Sequence, residues 1–515
     1  MFHVKHLTNS ESFVRGIVFS SVLNGISKCM LFVTSLVLAN YFGAKDKTDI
    51  FFYLYNTLWL LITVFASLHV SVIIPEAMFR RVEKGEKEAM HFLTYFFYLF
   101  GIGSLLLMGL LFLNPLGFVA LVTKYDLTML LKYRFMILSI APLFPLILIT
   151  QYLIDLLHAY RYFTLPVLTG LFNNTLSLIC IFLFYQKFEL FAMILALYIG
   201  YFLNFGYLIF IMRKRFFWDF TPKIVHLKPH FKANFWVGLF GNLWNFIGKY
   251  APNYFLTASG SGLFSAYTYG QKIANFPTDA ITNQYSSVSS IRLNELAAQR
   301  NREKLNLIFS QLCDMLIFIL VPIAVLFFTY GEEIVSFIYL RGDFGINDVH
   351  HTAYFVRYLG FLIPLFGINT IVSRLYHAGQ IVKFATIYSV VANILQVGLL
   401  WITFSFWGIW ALPFALIAQN LINVMAAHLF IHHFFKDIMY GRILFHLFTY
   451  TSGCMALALS IRWLLSAILL ADILKVIIGC ILFFIIYISI NEIFKLNIEV
   501  SKYLHIWIKR LKLLF

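Results

Sequence analysis

Runs of about twenty mostly apolar residues, each long enough to cross a bilayer as a helix, follow one another along almost the whole chain. With soft ends they fall at 16–42, 50–78, 90–113, 131–157, 163–185, 189–212, 233–256, 263–289, 306–329, 351–376, 384–404, 408–432, 444–467 and 474–494. The fourth, seventh, eighth and tenth carry charges or several polar residues. This pattern predicts an all-α polytopic membrane protein with about 14 transmembrane helices. Composition agrees. Of 515 residues, 61% are hydrophobic and 12% are charged, against roughly 25% charged in a soluble domain. That leaves too little polar surface to wet a globule, and far too much apolar surface for a disordered chain. The connecting segments are too short for a separate soluble domain. The first 14 residues are polar, so the first apolar run is expected to span rather than to be a removed signal peptide.

Lys and Arg number 39 against 23 Asp and Glu. In a membrane protein such an excess collects in cytoplasmic loops. With the N-terminus inside, the inner segments hold 26 basic residues and the outer segments 6. The asymmetry predicts that both termini face the cytoplasm, and it depends on an even number of spans. Five cysteines (Cys29, Cys180, Cys313, Cys454, Cys480) lie in apolar stretches without a C-x-x-C pair. Neither a disulfide framework nor a metal site is expected.

The chain resembles itself at an offset of 212–222 residues. TDIFFYLY (48–55) pairs with GLFSAYTYG (262–270), RFMILSIAPLF (134–144) with RYLGFLIPLF (357–366), and LLHAYRYF (156–163) with LYHAGQIV (375–382). Both copies start inside, so they are parallel six-helix repeats. The expected domains are a lobe over 1–212 (spans 1–6), a basic cytoplasmic linker over 213–232, and a second lobe over 233–433 (spans 7–12). Two further spans and a basic cytoplasmic tail fill 434–515. The linker, with bases and aromatics interleaved, is expected to be a surface helix among anionic headgroups. Two similar lobes with a seam suit a transporter that exposes a central site to each side in turn.

Hydrolase and nucleotide-binding signatures are missing; GNLWNFIGKY has the wrong spacing for a phosphate loop. No cofactor is expected, and the chain is expected to be a transporter rather than an enzyme. Embedded bases stand out instead. A Lys or Arg near mid-bilayer costs a few kcal/mol, about 2.5–3.5 on insertion scales, and normally faces a watery cavity. Lys28, Lys249 and Lys272 fall in the first, seventh and eighth spans, corresponding walls of the two repeats. A cavity lined by them would attract a phosphate or pyrophosphate. The rival reading has them snorkelling, or paired with Asp49, Asp279 or Asp314. Arg134 and Arg357 precede the repeated Pro-Leu-Phe and are expected to cap or gate. Pro142, Pro145 and Pro364 are expected to kink their helices. Arg462 stands alone in the thirteenth span, suited to a lipid headgroup.

Four segments, ANYFGAKDKTDIFFYLYNTLWLL (39–61), YTYGQKIANFP (267–277), GEEIVSFIYLRGDFGINDVHHTA (331–353) and SRLYHAGQ (373–380), occur in an order that resembles the MviN/MurJ family of lipid II flippases. That family sits within the multidrug/oligosaccharidyl-lipid/polysaccharide exporter superfamily. The resemblance implies translocation of a polyprenyl-pyrophosphate-linked saccharide, a peptidoglycan precursor, from inner to outer leaflet by alternating access. It further implies a groove for the lipid tail beside the last two helices. Lys272 matches an arginine of the family's eighth span, Lys28 one of the first, and Asp49 the acid of T-D-x-F-F, so Lys28, Lys272, Lys249 and Asp49 form the expected binding set. Two further family arginines fall at Thr34 and Ile62, where this chain has no charge. Lys lacks the bidentate fork of Arg, so another lipid-linked glycan, an O-antigen or capsule unit, is an alternative cargo. A cation-coupled multidrug antiporter and a membrane glycosyltransferase or polymerase rank behind it. Membrane lipids are the surrounding partners and nucleic acid is not expected. A monovalent ion or the membrane potential is the expected energy source; an inside-negative potential favours moving an anionic headgroup outward.

Overall fold

In a bilayer every backbone N–H and C=O must find its partner inside the chain, which leaves helices as the available form for such segments. The computed structural model describes residues 13–160, 162–299, 301–435, 438–468 and 472–494, and these are helical almost throughout, with no strand among them. In order the helices are α1 (Phe13–Phe42), α2 (Asp46–Leu68), α3 (Ile74–Lys84), α4 (Glu86–Leu113), α5 (Pro115–Val122), α6 (Leu127–Lys132), α7 (Arg134–Ile140), α8 (Leu143–Ala159), α9 (Thr164–Phe188) and α10 (Phe191–Phe216). They continue as α11 (Pro229–Leu256), α12 (Leu263–Pro277), α13 (Asn283–Ala298), α14 (Arg302–Tyr339), α15 (Ile346–Leu359), α16 (Leu362–Ala378), α17 (Val382–Trp407), α18 (Leu412–Phe434), α19 (Tyr440–Ser466) and α20 (Asp472–Phe494). All the expected segments are helical. Among the described residues eleven stretches are long and apolar enough to cross a membrane, and one of these, Phe384–Phe434, takes in α18 and nearly all of α17. The more polar α11 and α12–α13 are not among the eleven. Helix faces rich in Leu and Phe point away from packed protein, as at Leu106, Leu110, Phe202 and Trp463, which suits a lipid solvent. Polar side chains inside helices return to their own backbone: the Thr94 and Thr150 hydroxyls donate to the Met90 and Leu146 carbonyls at 2.8 and 2.7 Å.

The chain forms two compact units. The first takes residues up to Ser265 with the short segment Arg341–Phe344; the second takes Ala266–Leu340 and Gly345 onward. In the first, α1 packs on α9, α9 on α10, α4 on α3 and α8, and α11 on α2. The seventh expected span therefore packs with the first unit. In the second, the long α14 is central, contacting α15, α16 and α19, while α17 pairs with α18 and α19 with α20. Leu316, Ile317, Leu320 and Val321 of α14 lie in its core.

The internal repeat has structural counterparts. A π-helical turn follows α2 (His69–Ile73) and another follows α12 (Thr278–Thr282). Helices α7 and α8 are parted by a break at 141–142, and α15 and α16 by one at 360–361. The two pairs share one offset of 219 residues, from Ile140/Leu359 through Ala159/Ala378. This corrects the equivalence suggested by the Pro-Leu-Phe match. Pro364 corresponds to Pro145, both third in their helices, where a missing N–H costs nothing. Arg134 corresponds to Ala353, and Arg357 to Leu138. Of the three prolines, Pro142 alone sits in a break.

The basic linker is not a surface helix. Its first residues finish α10, its last begin α11, and 217–228 are non-helical. The Trp218 side chain is buried and stacks on Phe220 at 4.3 Å. Its indole N–H donates to Thr94 Oγ1 at 2.6 Å, and the Tyr98 hydroxyl donates to the Phe220 carbonyl at 3.1 Å. Arg80 reaches the strap too, donating to the His226 carbonyl at 3.2 Å, with its guanidinium 4.4 Å over the Phe92 ring and paired with Glu76 at 2.8 Å. Aromatic side chains thus fasten the linker down while its bases stay at the surface.

Candidate functional site

The expected binding lysines lie in different surroundings. Lys28 is exposed on α1, one turn beyond Asn24 on the same face, and Lys249 is exposed on α11; both belong to the first unit. Lys272, in the second unit, is half-buried on α12, its ammonium 6.0 Å from the centre of the Tyr269 ring. Among the positions that the resemblance aligned with family arginines, Thr34 is buried, with its hydroxyl on the Met30 carbonyl at 2.9 Å, and Ile62 is buried at 1% exposure. Packing, not a charge facing water, occupies both.

Asp49 is engaged by backbone. Its Oδ2 accepts the Gly262 N–H at 2.7 Å; its Oδ1 accepts the Ser265 N–H at 2.7 Å and the Ser265 hydroxyl at 2.5 Å. These amides belong to the first turn of α12 and the residue before it, so the carboxylate caps that helix where donors are orphaned and the dipole is positive. Gly262 has φ +83°, and a Cβ there would lie 2.4 Å from the Ala44 carbonyl oxygen. The segment Arg341–Phe344 joins the same cluster. The Asp343 N–H donates to the Asn40 carbonyl at 2.8 Å, and Lys45 pairs with Asp343 at 2.7 Å. At Gly342, with φ +57°, a Cβ would lie 2.2 Å from the Asn40 carbonyl oxygen, so there is no room for one. Three loops, 43–48, 259–262 and 341–344, are thereby pinned to one another. Sequence reasoning paired the first two. The third lies within the segment 331–353 that carries the family resemblance, but nothing in the sequence tied it to the other two.

Nearby, the Tyr53 and Tyr250 hydroxyls hydrogen-bond at 2.7 Å, Tyr250 donates to the Val122 carbonyl, and the Thr257 hydroxyl accepts the Lys124 N–H at 2.8 Å.

The embedded arginines differ in kind. Arg134 is exposed at the start of α7. Arg357 pairs with Glu332 at 3.0 Å, and His350 lies 3.1 Å from the other Glu332 oxygen. Gly331 makes room for this, since a Cβ there would meet Arg357 Cγ at 2.6 Å. Arg462 pairs with Glu333 at 2.8 Å and sits 5.6 Å from the Tyr330 ring. It joins α19 to α14 at a kink, where Tyr330 is non-helical, rather than standing alone. Asp314, weighed as a partner for a lysine, hydrogen-bonds His446 at 2.9 Å. No cluster of metal-ligating side chains occurs among the described residues.

A cavity of 430 Å³ opens inside the first unit, lined by α1, α2, α8, α9 and α10 through residues that include Asn24, Ser27, Trp59, Gln151, Thr169 and Tyr201. Sequence reasoning did not single out these residues. The signal available was a recurrence of amide and hydroxyl side chains inside otherwise apolar runs.

Helices of this length in two bundles, with capped loops and embedded bases, define a polytopic membrane protein of transporter architecture. The comparisons agree on the fold. A solved lipid II flippase MurJ in an inward closed conformation superposes with a TM-score of 0.77 at 19% identity, covering 92% of this chain and 98% of that one. An inward-facing multidrug resistance MATE family transporter of the MOP superfamily gives 0.62 at 14% identity, covering 83% and 100%. The model of the family described as lipid II flippase MurJ matches residues 38–484, and the chain belongs to that family. A curated relative from Bdellovibrio bacteriovorus, described as a probable lipid II flippase MurJ, is 23% identical over 172 residues. The matched part spans 33% of this chain and 33% of that relative.

Proposed function

We propose that the protein is a flippase that carries a polyprenyl-pyrophosphate-linked saccharide, lipid II or a close analogue, from the inner to the outer leaflet by alternating access. The observation that carries this reading is the family match over residues 38–484. In this reading the protein sits in a bacterial inner membrane with fourteen spans, α11 and α12–α13 included, and both termini in the cytoplasm. Its halves are the two repeats, joined by the basic strap. Lys28 and Lys272 attract the pyrophosphate, supported by Lys249. The exposure of Lys28 and Lys249 supports this, since an ammonium facing a phosphate must not be walled off by apolar side chains. The carboxylate of Asp49 acts as a latch: it holds loop 43–48 to loop 259–262 while the outer side is shut, and does not touch the cargo. Arg357 steadies the bend between α15 and α16 through Glu332. The membrane potential or a monovalent ion supplies the driving force.

The test is translocation of a fluorescent lipid-linked glycan by the purified protein in vesicles. Lys28→Ala and Lys272→Ala are each expected to slow translocation about tenfold or more, equivalent to about 1.4 kcal/mol or more. Wild-type rates in both would remove the binding assignment. The uncharged Thr34 and the buried Ile62 favour a second reading, in which the cargo is another polyprenyl-pyrophosphate glycan. Complementation of a cell depleted of its own lipid II flippase separates the two: rescue selects lipid II.

A further inference from the structure

The cavity in the first unit is built like a ligand site. Its 430 Å³ falls within the range of small-molecule pockets, about 300–1,000 Å³. No Asp, Glu, Lys or Arg is among its lining residues. Amides and hydroxyls, among them Asn24, Ser27, Gln151 and Asn173, line it together with the His158 imidazole, the rings of Trp59 and Tyr201, and an apolar stretch that includes Ile154 and Val167. An apolar core would fill such a space, and a charged ligand would call for a counter-charge on the wall.

The polar wall is held in place from behind. The Asn174 amide donates to the Ser27 hydroxyl at 2.9 Å and to the Ser27 carbonyl at 3.1 Å. The Asn204 amide donates to Asn173 Oδ1 at 2.8 Å, and Gln151 donates to Asp155 at 2.8 Å. Groups fixed this way lose little entropy on binding. Planar amides and hydroxyls arranged around aromatic rings match the chemistry of a neutral sugar. Its hydroxyls give and take hydrogen bonds, and its C–H face lies against a ring.

Position supplies the second argument. Asn24 lines the cavity, and Lys28 follows it by four residues on the same helix face, exposed. A cation thus stands one turn from a neutral polar pocket. A glycosyl phosphate has that division, with charge at one end and neutral ring at the other.

We propose that this cavity binds the neutral sugar of the headgroup while Lys28 at its rim takes the phosphate. The assignment of the headgroup rests on the transport reading above; the sugar chemistry of the cavity does not.

Gly170 offers a clean way to fill the pocket. It lines the cavity on α9, and a Cβ there would meet the Ser27 hydroxyl at an ordinary 3.8 Å. Within a helix, Leu is also favoured over Gly by roughly 0.8–1 kcal/mol. Gly206 on α10 is exposed, with nothing within 4 Å of a Cβ, and serves as the control. Binding of N-acetylglucosamine to the purified full chain is followed by saturation-transfer NMR, and binding of inorganic pyrophosphate by calorimetry. Gly170→Leu is expected to weaken sugar binding about tenfold or more while leaving pyrophosphate binding unchanged. Lys28→Gln is expected to do the reverse, and Gly206→Leu to match wild type in both. Asn24→Leu, on the exposed side of the wall, repeats the sugar loss should Gly170→Leu fold poorly. Equal sugar binding in wild type, Gly170→Leu and Asn24→Leu, or no sugar binding in wild type, overturns the proposal. In vesicles, Gly170→Leu is expected to slow translocation and Gly206→Leu to leave it unchanged. A wild-type rate in Gly170→Leu overturns the headgroup assignment even where the flippase reading holds. A wild-type protein that moves no lipid-linked glycan, yet loses sugar binding in Gly170→Leu, overturns the flippase reading and supports the sugar site.

Discussion

At the scale of residues, the hydrogen bonds around Asp49 set an exacting geometry. A carboxylate accepting three hydrogen bonds, two of them from helix-terminal amides, gains both from charge and from the helix dipole. Asp49→Asn keeps the shape but replaces one oxygen with a donor that faces another donor. Bonds to charged groups contribute roughly 1.5–3 kcal/mol each, so Asn is expected to destabilise the cluster by about that amount. Gly262→Ala is expected to be at least as costly, because φ +83° and the 2.4 Å approach to the Ala44 oxygen act together. Gly260→Ala, with nothing within 4 Å of the new Cβ, should be close to neutral. Thermal unfolding of the three variants in detergent checks the order; equal midpoints for Gly260→Ala and Gly262→Ala would contradict it. Asp49 was conspicuous in the sequence, but its role was not. Its partners lie more than 210 residues away in the chain, and no local pattern says whether a membrane carboxylate meets a cation or a helix end. The same holds for Arg462, which looked solitary until α14 brought Glu333 beside it.

At the scale of elements, apolar length made the helices legible, because a bilayer leaves the backbone no alternative. Their interruptions were less so. A π-helical turn adds one residue to a turn without changing composition, so neither His69–Ile73 nor Thr278–Thr282 had a sequence signal. The breaks at 141–142 and 360–361 share an offset of 219 residues, whereas the eye follows Pro-Leu-Phe, which is shifted by three. The linker misled for another reason. Interleaved bases and aromatics suit a headgroup-facing helix, but here Trp218 and Phe220 turn inward. Asp219 in this strap has its carboxyl held below the usual range by the Thr221 amide and hydroxyl, which suits a tight local turn. Because Trp218 is buried and hydrogen-bonded to Thr94, Trp218→Ala is expected to cost about 3–5 kcal/mol and to release the strap. Trypsin cleavage at Lys223, an exposed site in the strap, measures that release. Faster cutting than in wild type is expected, and an unchanged rate would mean that the strap is held elsewhere.

At the scale of the whole molecule, orientation hangs on the least apolar helices. The excess of 26 inner over 6 outer basic residues arises only when α11 and α12–α13 are each counted as one crossing, yet neither is among the eleven clearly apolar stretches. Helix α11 carries Asn242, Asn245, Lys249 and Asn253, a polar load that a lipid-facing helix would not bear. Helix α11 packs against α2 within the first unit, with Asn253 buried, Asn242 and Asn245 half-buried and Lys249 exposed. If α11 crosses, Lys223 in the strap and Gly260 beyond the helix lie on opposite sides of the membrane. Single cysteines answer this, since both positions are exposed and the native thiols can be replaced. In intact spheroplasts a membrane-impermeant maleimide is expected to label Gly260→Cys but not Lys223→Cys, which should react only after permeabilisation. Labelling of both without permeabilisation would put α11 on one face, reduce the count to thirteen and erase the charge asymmetry. Labelling of Lys223→Cys alone would keep the crossing but invert the protein. Inversion would leave the excess of positive charge outside, against the membrane potential, at about 2.3 kcal/mol per charge per 100 mV. Lys28 shares the first unit with α11, so the same result decides whether its ammonium can meet a cytoplasmic phosphate.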